Sequence, residues 1–205
     1  MKTFVNSENA TYVGEWKNYM RDGHGELTCS NGSKYVGEWK NDKKNGHGIK
    51  THVDGSEYNG EWEDDMRNGQ GIFTYENGNK FVGFWKNGMR NGKGTLTFLD
   101  GSVFTGEWND SKLKIEGVFR FSNGDVYVGS IKDDMMNGQG FLTYAKGDTY
   151  EGELKDGKKN GQGKFTCVKG DIYIGEFKDD MMYKKGTFTC ADKKAQNNTT
   201  AANKS

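Results

Sequence analysis

Histidine and cysteine are the residue types of this sequence best suited to hold a metal ion or to form a disulfide. His24 and His47 are 23 residues apart, and so are Cys167 and Cys190, whereas Cys29 lies far from both of these cysteines. If each 23-residue segment forms two paired strands, residues one segment apart are separated by ~9.6 Å. Zinc bonds of ~2.1 Å cannot bridge that distance, and a disulfide needs Cα atoms within ~7 Å. We therefore expect no metal site, no disulfide and no cofactor.

Acidic residues and closely spaced glycines could in principle serve acid–base chemistry or phosphate binding. Glutamate recurs at the same spacing of 23, as Glu15, Glu38, Glu61, Glu107, Glu153 and Glu176. That spacing favours a solvated charge ladder over a catalytic pair. Gly69-Gln70-Gly71 is similar to part of a dinucleotide fingerprint, but it opens a strand and precedes no helix, so it cannot cradle a phosphate. The sequence therefore predicts a protein that is not an enzyme.

An internal repeat sets the elements that carry these residues. An aromatic residue begins each of eight 23-residue repeats, which start at residues 12, 35, 58, 81, 104, 127, 150 and 173. We number positions within a repeat from this residue. Position 5 is Trp in the first five repeats and Ile131, Leu154 or Phe177 in the last three. Positions 3 and 14 are always glycine: Gly14, Gly25, Gly37, Gly48, Gly60, Gly71, Gly83, Gly94, Gly106, Gly117, Gly129, Gly140, Gly152, Gly163, Gly175 and Gly186.

Two short runs with alternating side chains lie in each repeat, which is the pattern of half-buried strands. A six-residue segment such as Asp64-Asp65-Met66-Arg67-Asn68-Gly69 is expected to join the two runs, because Asn-Gly and Asp-Gly are strong turn signals. The sequence predicts an all-β fold: an elongated single-layer antiparallel β-meander solenoid of stacked hairpins. Its parts are an N-terminal capping strand in 1–11, the eight repeats in 12–191 and a disordered polar tail in 192–205.

The glycines also suggest a register for the strands. We expect position 5 to lie opposite position 14 and position 3 opposite position 16, so that each large side chain rests beside bare backbone. In the fifth repeat Ile115 stands at position 12, where most repeats have glycine. We expect its turn, residues 110–115, to take a different shape.

Composition narrows the classes of partner. Lys plus Arg and Asp plus Glu each number 29, so the formal net charge is zero. This balance gives no strong attraction to nucleic acid or to an anionic membrane. Aromatic residues make up 13% of the chain, more than disordered chains contain. Because the start has no apolar run long enough for a signal peptide and no stretch could span a bilayer, we expect a cytoplasmic protein.

The aromatic face is the first candidate binding surface. Without a second layer, part of this face can stay open as a groove for a helix or an extended peptide. Alternatively, the rings pack on one another as the core. Because the tryptophans stop after the fifth repeat, we expect the wider groove in the first five repeats. The candidate residues are Tyr12, Trp16, Tyr35, Trp39, Tyr58, Trp62, Phe81, Trp85, Phe104 and Trp108.

The expected hairpin tips at positions 9 and 10 are the second candidate surface. They carry methionine and basic side chains, a composition that suits adaptable contacts with a protein or a lipid surface. Alternatively, each methionine folds back over its own hairpin, and nearby acids such as Asp64 and Asp65 neutralise the basic charge. The candidate residues are Met20, Arg21, Lys43, Lys44, Met66, Arg67, Met89, Arg90, Lys158 and Lys159.

The complete repeat, Tyr-x-Gly-Glu-Trp followed by Gly-x-Gly at positions 12 to 14 and Gly at position 21, resembles the MORN repeat. The resemblance covers residues 11–191 and implies a single-layer antiparallel sheet of stacked hairpins. It also implies scaffolding at membranes, the cytoskeleton or cilia, binding of partner helices or motor tails, and phospholipid binding. In larger relatives such repeats precede a lipid kinase or a SET-type methyltransferase.

We therefore expect a non-catalytic scaffold or adaptor that binds a protein partner along the sheet, at a membrane-associated, cytoskeletal or ciliary structure. Two alternatives stay open: a peripheral phospholipid-binding protein, and a regulatory arm of an enzyme held in another chain. A homodimer, end to end or back to back, is a further alternative because a lone sheet has edges and an apolar face.

Overall fold

A computed structural model describes residues 2–5, 10–132 and 135–191 of the chain. Within these residues it has 17 strands, and residues 10–132 and 135–190 contain no helix. No helix of the described part is long and apolar enough to cross a membrane. The predicted tail, residues 192–205, lies outside the described residues. The strands are β1 Lys2–Val5, β2 Thr11–Lys17, β3 Met20–Thr28, β4 Lys34–Lys40, β5 Lys43–Thr51, β6 Glu57–Glu63, β7 Met66–Thr74, β8 Lys80–Lys86, β9 Met89–Thr97, β10 Val103–Asn109, β11 Lys112–Arg120, β12 Val126–Lys132, β13 Met135–Thr143, β14 Thr149–Lys155, β15 Lys158–Thr166, β16 Ile172–Lys178 and β17 Met181–Thr189.

The chain forms two compact units, residues 1–112 and residues 113–205, which we call the N-terminal and the C-terminal unit. In the N-terminal unit each strand from β1 to β10 pairs antiparallel with the next. In the C-terminal unit the same holds from β11 to β17. The prediction of an all-β meander of stacked hairpins is confirmed.

In the seven hairpins whose turns the structure describes, the chain turns on two residues, at positions 7 and 8. In the third repeat these are Asp64 and Asp65, with φ of 46° and 70°. Positive φ at both central residues defines a type I′ turn, which matches the twist of paired strands and favours Asn, Asp and Gly. The expected six-residue connection is therefore wrong, and positions 9 and 10 open the second strand. The fifth repeat turns in the same way on Asp110 and Ser111, so the turn itself does not take the different shape expected for residues 110–115.

The register differs from the expected one. Gly60 pairs with Gly71 in its own hairpin and with Gly48 of the preceding hairpin. The glycines therefore form a continuous line across the strands. The next pair in the hairpin is Trp62 with Arg67, because the second strand carries two more residues than the first between these pairs. Because of this bulge, position 5 lies opposite position 10 and not opposite position 14 as expected. Position 3 consequently lies opposite position 14.

Hydrogen bonds outside the strand ladder join neighbouring hairpins at the turn, at the connection between repeats, or at both. At the turn of positions 7 and 8, the N–H of Asp42 donates to the carbonyl oxygen of Arg21 in the preceding repeat at 3.0 Å. At the longer connection between repeats, the N–H of Val168 donates to Asp148 Oδ1 at 2.8 Å. Equivalent bonds recur in both units. Each repeat is thus fastened to the next outside the strand ladder as well as within it.

Candidate protein-binding surfaces

The tyrosine at position 1 lies over the glycine line and forms the centre of the core. A Cβ placed on Gly71 would overlap the ring of Tyr58, so only glycine fits beneath that ring. The Tyr58 hydroxyl donates to the carbonyl oxygen of Glu61 at 2.9 Å, and the side chain is 0% exposed. Burial raises the pKa of Tyr127 and of Tyr150 to about 12. These rings are structural in both units.

The tryptophans at position 5 link each repeat to the one before it. Trp62 lies edge-on to Tyr58, with ring centroids 5.1 Å apart, and edge-on to Tyr35 of the preceding repeat at 5.4 Å. Its Nε1 donates to the carbonyl oxygen of Gly48 at 3.0 Å. Trp39 makes the equivalent contacts one repeat earlier. The rings therefore serve as the core, which is the alternative that the sequence left open.

Basic side chains at position 10 close over the tryptophans. The Arg21 guanidinium carbon lies 4.1 Å from the ring centroid of Trp39, and Arg21 Nη2 donates to the carbonyl oxygen of Asp42 at 2.6 Å. Arg67 repeats this arrangement on Trp85 at 4.4 Å. Partial burial lowers the pKa of the Arg67 guanidinium. Each such cation joins its own repeat to the ring and the turn of the next.

The groove expected along the first five repeats is consequently limited to the first. The other candidate rings are at most 6% exposed: Tyr12, Tyr35, Trp39, Tyr58, Trp62, Phe81, Trp85, Phe104 and Trp108. The structure does not bring these nine side chains to the surface. Trp16 alone of the ten predicted aromatic residues is partly exposed.

The predicted ridge of methionine and basic side chains is divided between the two faces of the sheet. Position 9 pairs with position 6 on the face away from the rings, where Met66 and Met89 are exposed and Lys43 lies 3.5 Å from Asp64. Met20 is half-buried, and Lys158 is exposed. The position-10 residues lie on the aromatic face, where they contact rings: Arg21, Lys44, Arg67, Arg90 and Lys159. This division leaves fewer exposed cations for an anionic lipid surface.

The glutamate at position 4 has a structural role that sequence reasoning missed. Glu61 Oε1 accepts the backbone N–H of Gln70 at 2.8 Å, and Glu38 accepts that of His47 at 2.9 Å. These N–H groups lie in the bulge, where the strand ladder offers no partner. The recurrence of glutamate opposite a glycine with positive φ, such as Gly69, is the signal that could have revealed this bond.

One groove opens on the aromatic face of the first repeat, with a volume of about 1050 Å³. Phe4 of β1, Trp16 of β2 and Tyr19 of the turn line it together with Arg21 and Asp42. Tyr19 is 99% exposed and Phe4 is 55% exposed. Arg21 and Asp42 form an ion pair of 3.1 Å at the rim. The sequence predicted Tyr12 and Trp16 as part of the aromatic face and Arg21 as part of the hairpin tips, so it did not predict that they line one groove. It also missed Tyr19, which replaces the Asp, Gly or Ser of the other repeats.

No group of His, Cys, Asp and Glu side chains within the described ranges could hold a metal ion. The three cysteines are free thiols. Cys29, Cys167 and Cys190 are partly buried, all at position 18 on the aromatic face.

Repeated two-stranded hairpins with a Tyr-over-Gly core define the class of all-β repeat proteins to which this molecule belongs. The family model of the MORN repeat matches eight consecutive segments: 12–34, 35–57, 58–80, 81–103, 104–126, 127–149, 150–172 and 173–194. The chain belongs to the MORN repeat family. Comparison with curated proteins found no match.

Two solved structures share the fold at low sequence identity. The G-box domain of the microcephaly protein CPAP is 8% identical, with a TM-score of 0.57 over 92% of this chain and 97% of that domain. The wild-type TCP10 domain of Danio rerio CPAP is 9% identical, with a TM-score of 0.54 over 91% of this chain and 99% of that domain. At these identities the likeness concerns the fold alone.

Proposed function

We propose that this chain is a non-catalytic scaffold that binds a protein partner, and that the groove of the first repeat receives a helix or an extended segment of that partner. The observation that carries the proposal is the clustering of Phe4, Trp16 and Tyr19 around one groove, with Tyr19 99% exposed. Tyrosine and tryptophan are enriched among the residues that dominate the free energy of protein–protein binding.

The exposed ring of Tyr19 favours contact with a polypeptide. The groove volume of about 1050 Å³ lies at the upper end of the ~300–1,000 Å³ range of small-molecule sites, so volume does not decide between the two classes. The fold does not require an aromatic residue at the turn, because Asp42 and Gly88 hold the same position in later repeats. An exposed ring at Tyr19 therefore serves contact with another molecule better than it serves stability.

The cellular setting of the scaffold is proposed by analogy. The CPAP G-box domain, which shares this fold, is described as suggesting a role in centriole elongation. Membership of the MORN repeat family also favours scaffolding at the cytoskeleton, which the family resemblance implies. We propose a cytoskeletal site of action, and imaging of the tagged chain in its native cell beside a tubulin stain tests it; a diffuse distribution would contradict it.

Affinity purification from the native source, followed by calorimetry with the purified partner, tests the groove. Tyr19→Asp introduces the residue that Asp42 provides at the equivalent turn, so we expect an unchanged melting temperature. We expect the affinity for the partner to fall by about tenfold, or about 1.4 kcal/mol, which is typical for loss of a central aromatic contact.

Gly157→Asp is the matched control, because it places the same residue at the same turn position in the seventh repeat. It should leave the affinity unchanged. If Tyr19→Asp binds the partner as tightly as the original chain does, the groove is not the binding site.

A further inference from the structure

The groove of the first repeat lies where the next four repeats each hold a basic side chain. In those repeats the tryptophan at position 5 and the turn residue at position 8 together hold a cation of the preceding repeat, and we call this pair the cation receptor. In the second repeat the cation receptor is Trp39 and Asp42, and Arg21 occupies it. The equivalent residues of the first repeat, Trp16 and Tyr19, line the groove. The occupants of the later receptors therefore indicate what the groove can bind.

Arg21 shows how the cation receptor holds an arginine. Its guanidinium lies over the Trp39 ring, and Nη2 donates to the carbonyl oxygen of Asp42 at 2.6 Å. The backbone carbonyl oxygen of Arg21 accepts the N–H of Asp42 at 3.0 Å. Tyr19 has a φ of 64°, close to the 66° of Asp42, and is 99% exposed. The first turn thus presents the same backbone donor and acceptor at the mouth of the groove.

An aspartate at position 8 allows the occupant to be a lysine. Lys44 Nζ donates to Asp65 Oδ1 at 2.9 Å, and Lys159 stands at the turn of Asp180. An ammonium is a compact charge, so a carboxylate directly beside it is an effective partner. Both lysines that occupy this position in the described repeats have one.

Turns without a carboxylate hold an arginine instead. Arg67 Nη2 donates to the carbonyl oxygen of Gly88 at 2.7 Å, and Arg90 Nη2 donates to that of Ser111 at 3.1 Å. The planar guanidinium stacks on the tryptophan and still reaches the backbone acceptor. Because Tyr19 has no carboxylate, the first repeat has the type of receptor that holds arginine.

The charge already present beside the groove is compatible with a second cation. Arg21 at the rim is paired with a carboxylate of the second repeat at 3.1 Å. A guanidinium in the groove would lie one repeat from Arg21, about 9.6 Å, as Arg67 does from Arg90. Glu15 and Lys17, the neighbours of the tryptophan in β2, belong to the opposite face of the sheet. Two arginines are therefore accommodated at this spacing elsewhere in the same unit.

We propose that the groove of the first repeat recognises an arginine in an extended segment of the partner. The guanidinium stacks on Trp16 and donates to the carbonyl oxygen of Tyr19, while the N–H of Tyr19 donates to the backbone carbonyl oxygen of the arginine. This specificity rests on the proposed function, since it takes the groove to be the place where the partner binds.

The contacts favour an extended segment of another protein over a helix or a second copy. The carbonyl oxygen of a residue within a helix bonds inside that helix, whereas the receptor requires a carbonyl oxygen that can accept the N–H of the turn. The ladder between β1 and β2 ends at the pair of Lys2 and Gly14, so the segment would lie in line with β1. Three of the four arginines of this chain already lie over rings, which leaves a second copy little to offer.

Peptide titrations of the full-length chain, followed by NMR, test this specificity. The probe copies residues 64–69, which carry Arg67. Two further peptides replace this arginine with lysine or with citrulline, which keeps the planar shape without the charge. We expect the arginine peptide to bind about fivefold more tightly than the lysine peptide and about tenfold more tightly than the citrulline peptide. Equal binding of the three peptides, or no binding of the arginine peptide, overturns the proposal.

Two variants of the chain locate the binding. Trp16→Leu removes the ring, and the fold accepts leucine at this position, as Leu154 shows, so we expect a folded protein with about tenfold lower affinity for the arginine peptide. Tyr19→Asp supplies the carboxylate that Lys44 uses at Asp65, so the preference for arginine over lysine should fall to about twofold or less. An unchanged affinity in the first variant, or an unchanged preference in the second, contradicts the proposal.

Phe188→Leu is the matched control, because it exchanges a ring that is 60% exposed for leucine in the C-terminal unit. It should leave peptide binding unchanged. If Tyr19→Asp weakens the native partner while the peptides show no preference for arginine, the groove remains the binding site and only its specificity for arginine fails. Self-association that Trp16→Leu abolishes in sedimentation, without peptide binding, assigns the groove to a second copy and overturns the proposal.

Discussion

The two compact units share one core arrangement built with different side chains. Position 5 is tryptophan throughout the N-terminal unit, but Leu154 and Phe177 hold it in the C-terminal unit at exposures of only 3% and 2%. Tyr58 and Tyr150 are both 0% exposed over paired glycines. The ring over glycine is therefore what the hairpin requires, and any apolar side chain of sufficient size serves at position 5.

The opposite faces of the two units carry apolar rows that are interrupted at different places. In the N-terminal unit Asn59 separates two apolar pairs, Val36 with Ile49 and Ile72 with Val82. In the C-terminal unit the row of Val118, Val128 and Phe141 ends where Glu151 pairs with Lys164. Features common to the units thus belong to folding, and features confined to one unit are the candidates for binding.

The largest expected effect comes from filling the glycine line, which should break both units alike. Gly71→Val and Gly163→Val force a side chain into the rings of Tyr58 and Tyr150, respectively. We expect each to lower the free energy of unfolding by about 3 kcal/mol, as severe overpacking does. Guanidinium denaturation measures this loss.

Gly55→Asn is the control for the glycine substitutions, since Gly55 has a φ of 84° and open space around it. Asparagine tolerates this conformation, so a loss below about 1 kcal/mol is expected. A C-terminal unit that accepts valine at Gly163 would show that its core is built differently.

An intermediate effect should distinguish the units through position 10. Arg67→Met removes the stacking on Trp85 at 4.4 Å and the bond to Gly88, with an expected loss of about 2 kcal/mol. Lys159→Met should cost about 1 kcal/mol, because the Lys159 amine lies 5.9 Å from Phe177 and its backbone bond to Asp180 persists.

Thermal denaturation of both position-10 variants in low and high salt provides the measurement. The loss for Arg67→Met should change little with salt, because the guanidinium is partly buried. Equal losses in the two units would mean that the cation over tryptophan adds nothing beyond ordinary packing.

The smallest effect concerns the tyrosine hydroxyl. Tyr150→Phe removes the bond to the carbonyl oxygen of Glu153 at 2.8 Å, at an expected cost of about 1 kcal/mol near neutral pH. Phe81 and Phe104 fill the same position in the N-terminal unit, so the fold should persist. Chemical denaturation at pH 8 gives this difference.

The same variant also tests the pH dependence of stability. Burial raises the pKa of Tyr150 to about 12 from its ordinary 10.0, so above pH 10 the unfolded chain ionises before the folded one. Stability should therefore fall between pH 10 and 12, and it should fall less in Tyr150→Phe. A gap between the two proteins that does not narrow between pH 8 and pH 11.5 would contradict the buried hydroxyl.

Periodicity was sufficient to predict the hairpins and their stacking, because strands of period 2 and repeated turn residues have few other solutions. It was insufficient for the register. Asn68-Gly69 has the composition of a turn, yet it lies in the bulge of β7, and the true turn is Asp64-Asp65. Local sequence does not show whether residues with positive φ form the turn or the bulge. The pairing of Trp62 with Arg67 does show it, because it places the turn before Arg67 and the bulge after it.

The candidate sites were predicted only in part for a related reason. Trp16 was found because it follows the repeat, but its exposure depends on the groove around it. Tyr19 was missed because it departs from the repeat, at a position where other repeats carry Asp, Gly or Ser. The basic side chains of position 10 were expected at the surface, since the sequence gives no sign that the following repeat provides a ring for each.

The bonds between consecutive turns also limit how such a chain can change in length. The described repeats bond to fixed positions of a neighbour, as Asp42 does to Arg21 at the turn and as Val168 does to Asp148 at the connection between repeats. A duplication or loss of one whole repeat preserves every bond, whereas a shift of a single residue breaks all three sets at once: turn, ladder and ring. Genes for such proteins should therefore gain or lose hairpins as whole modules.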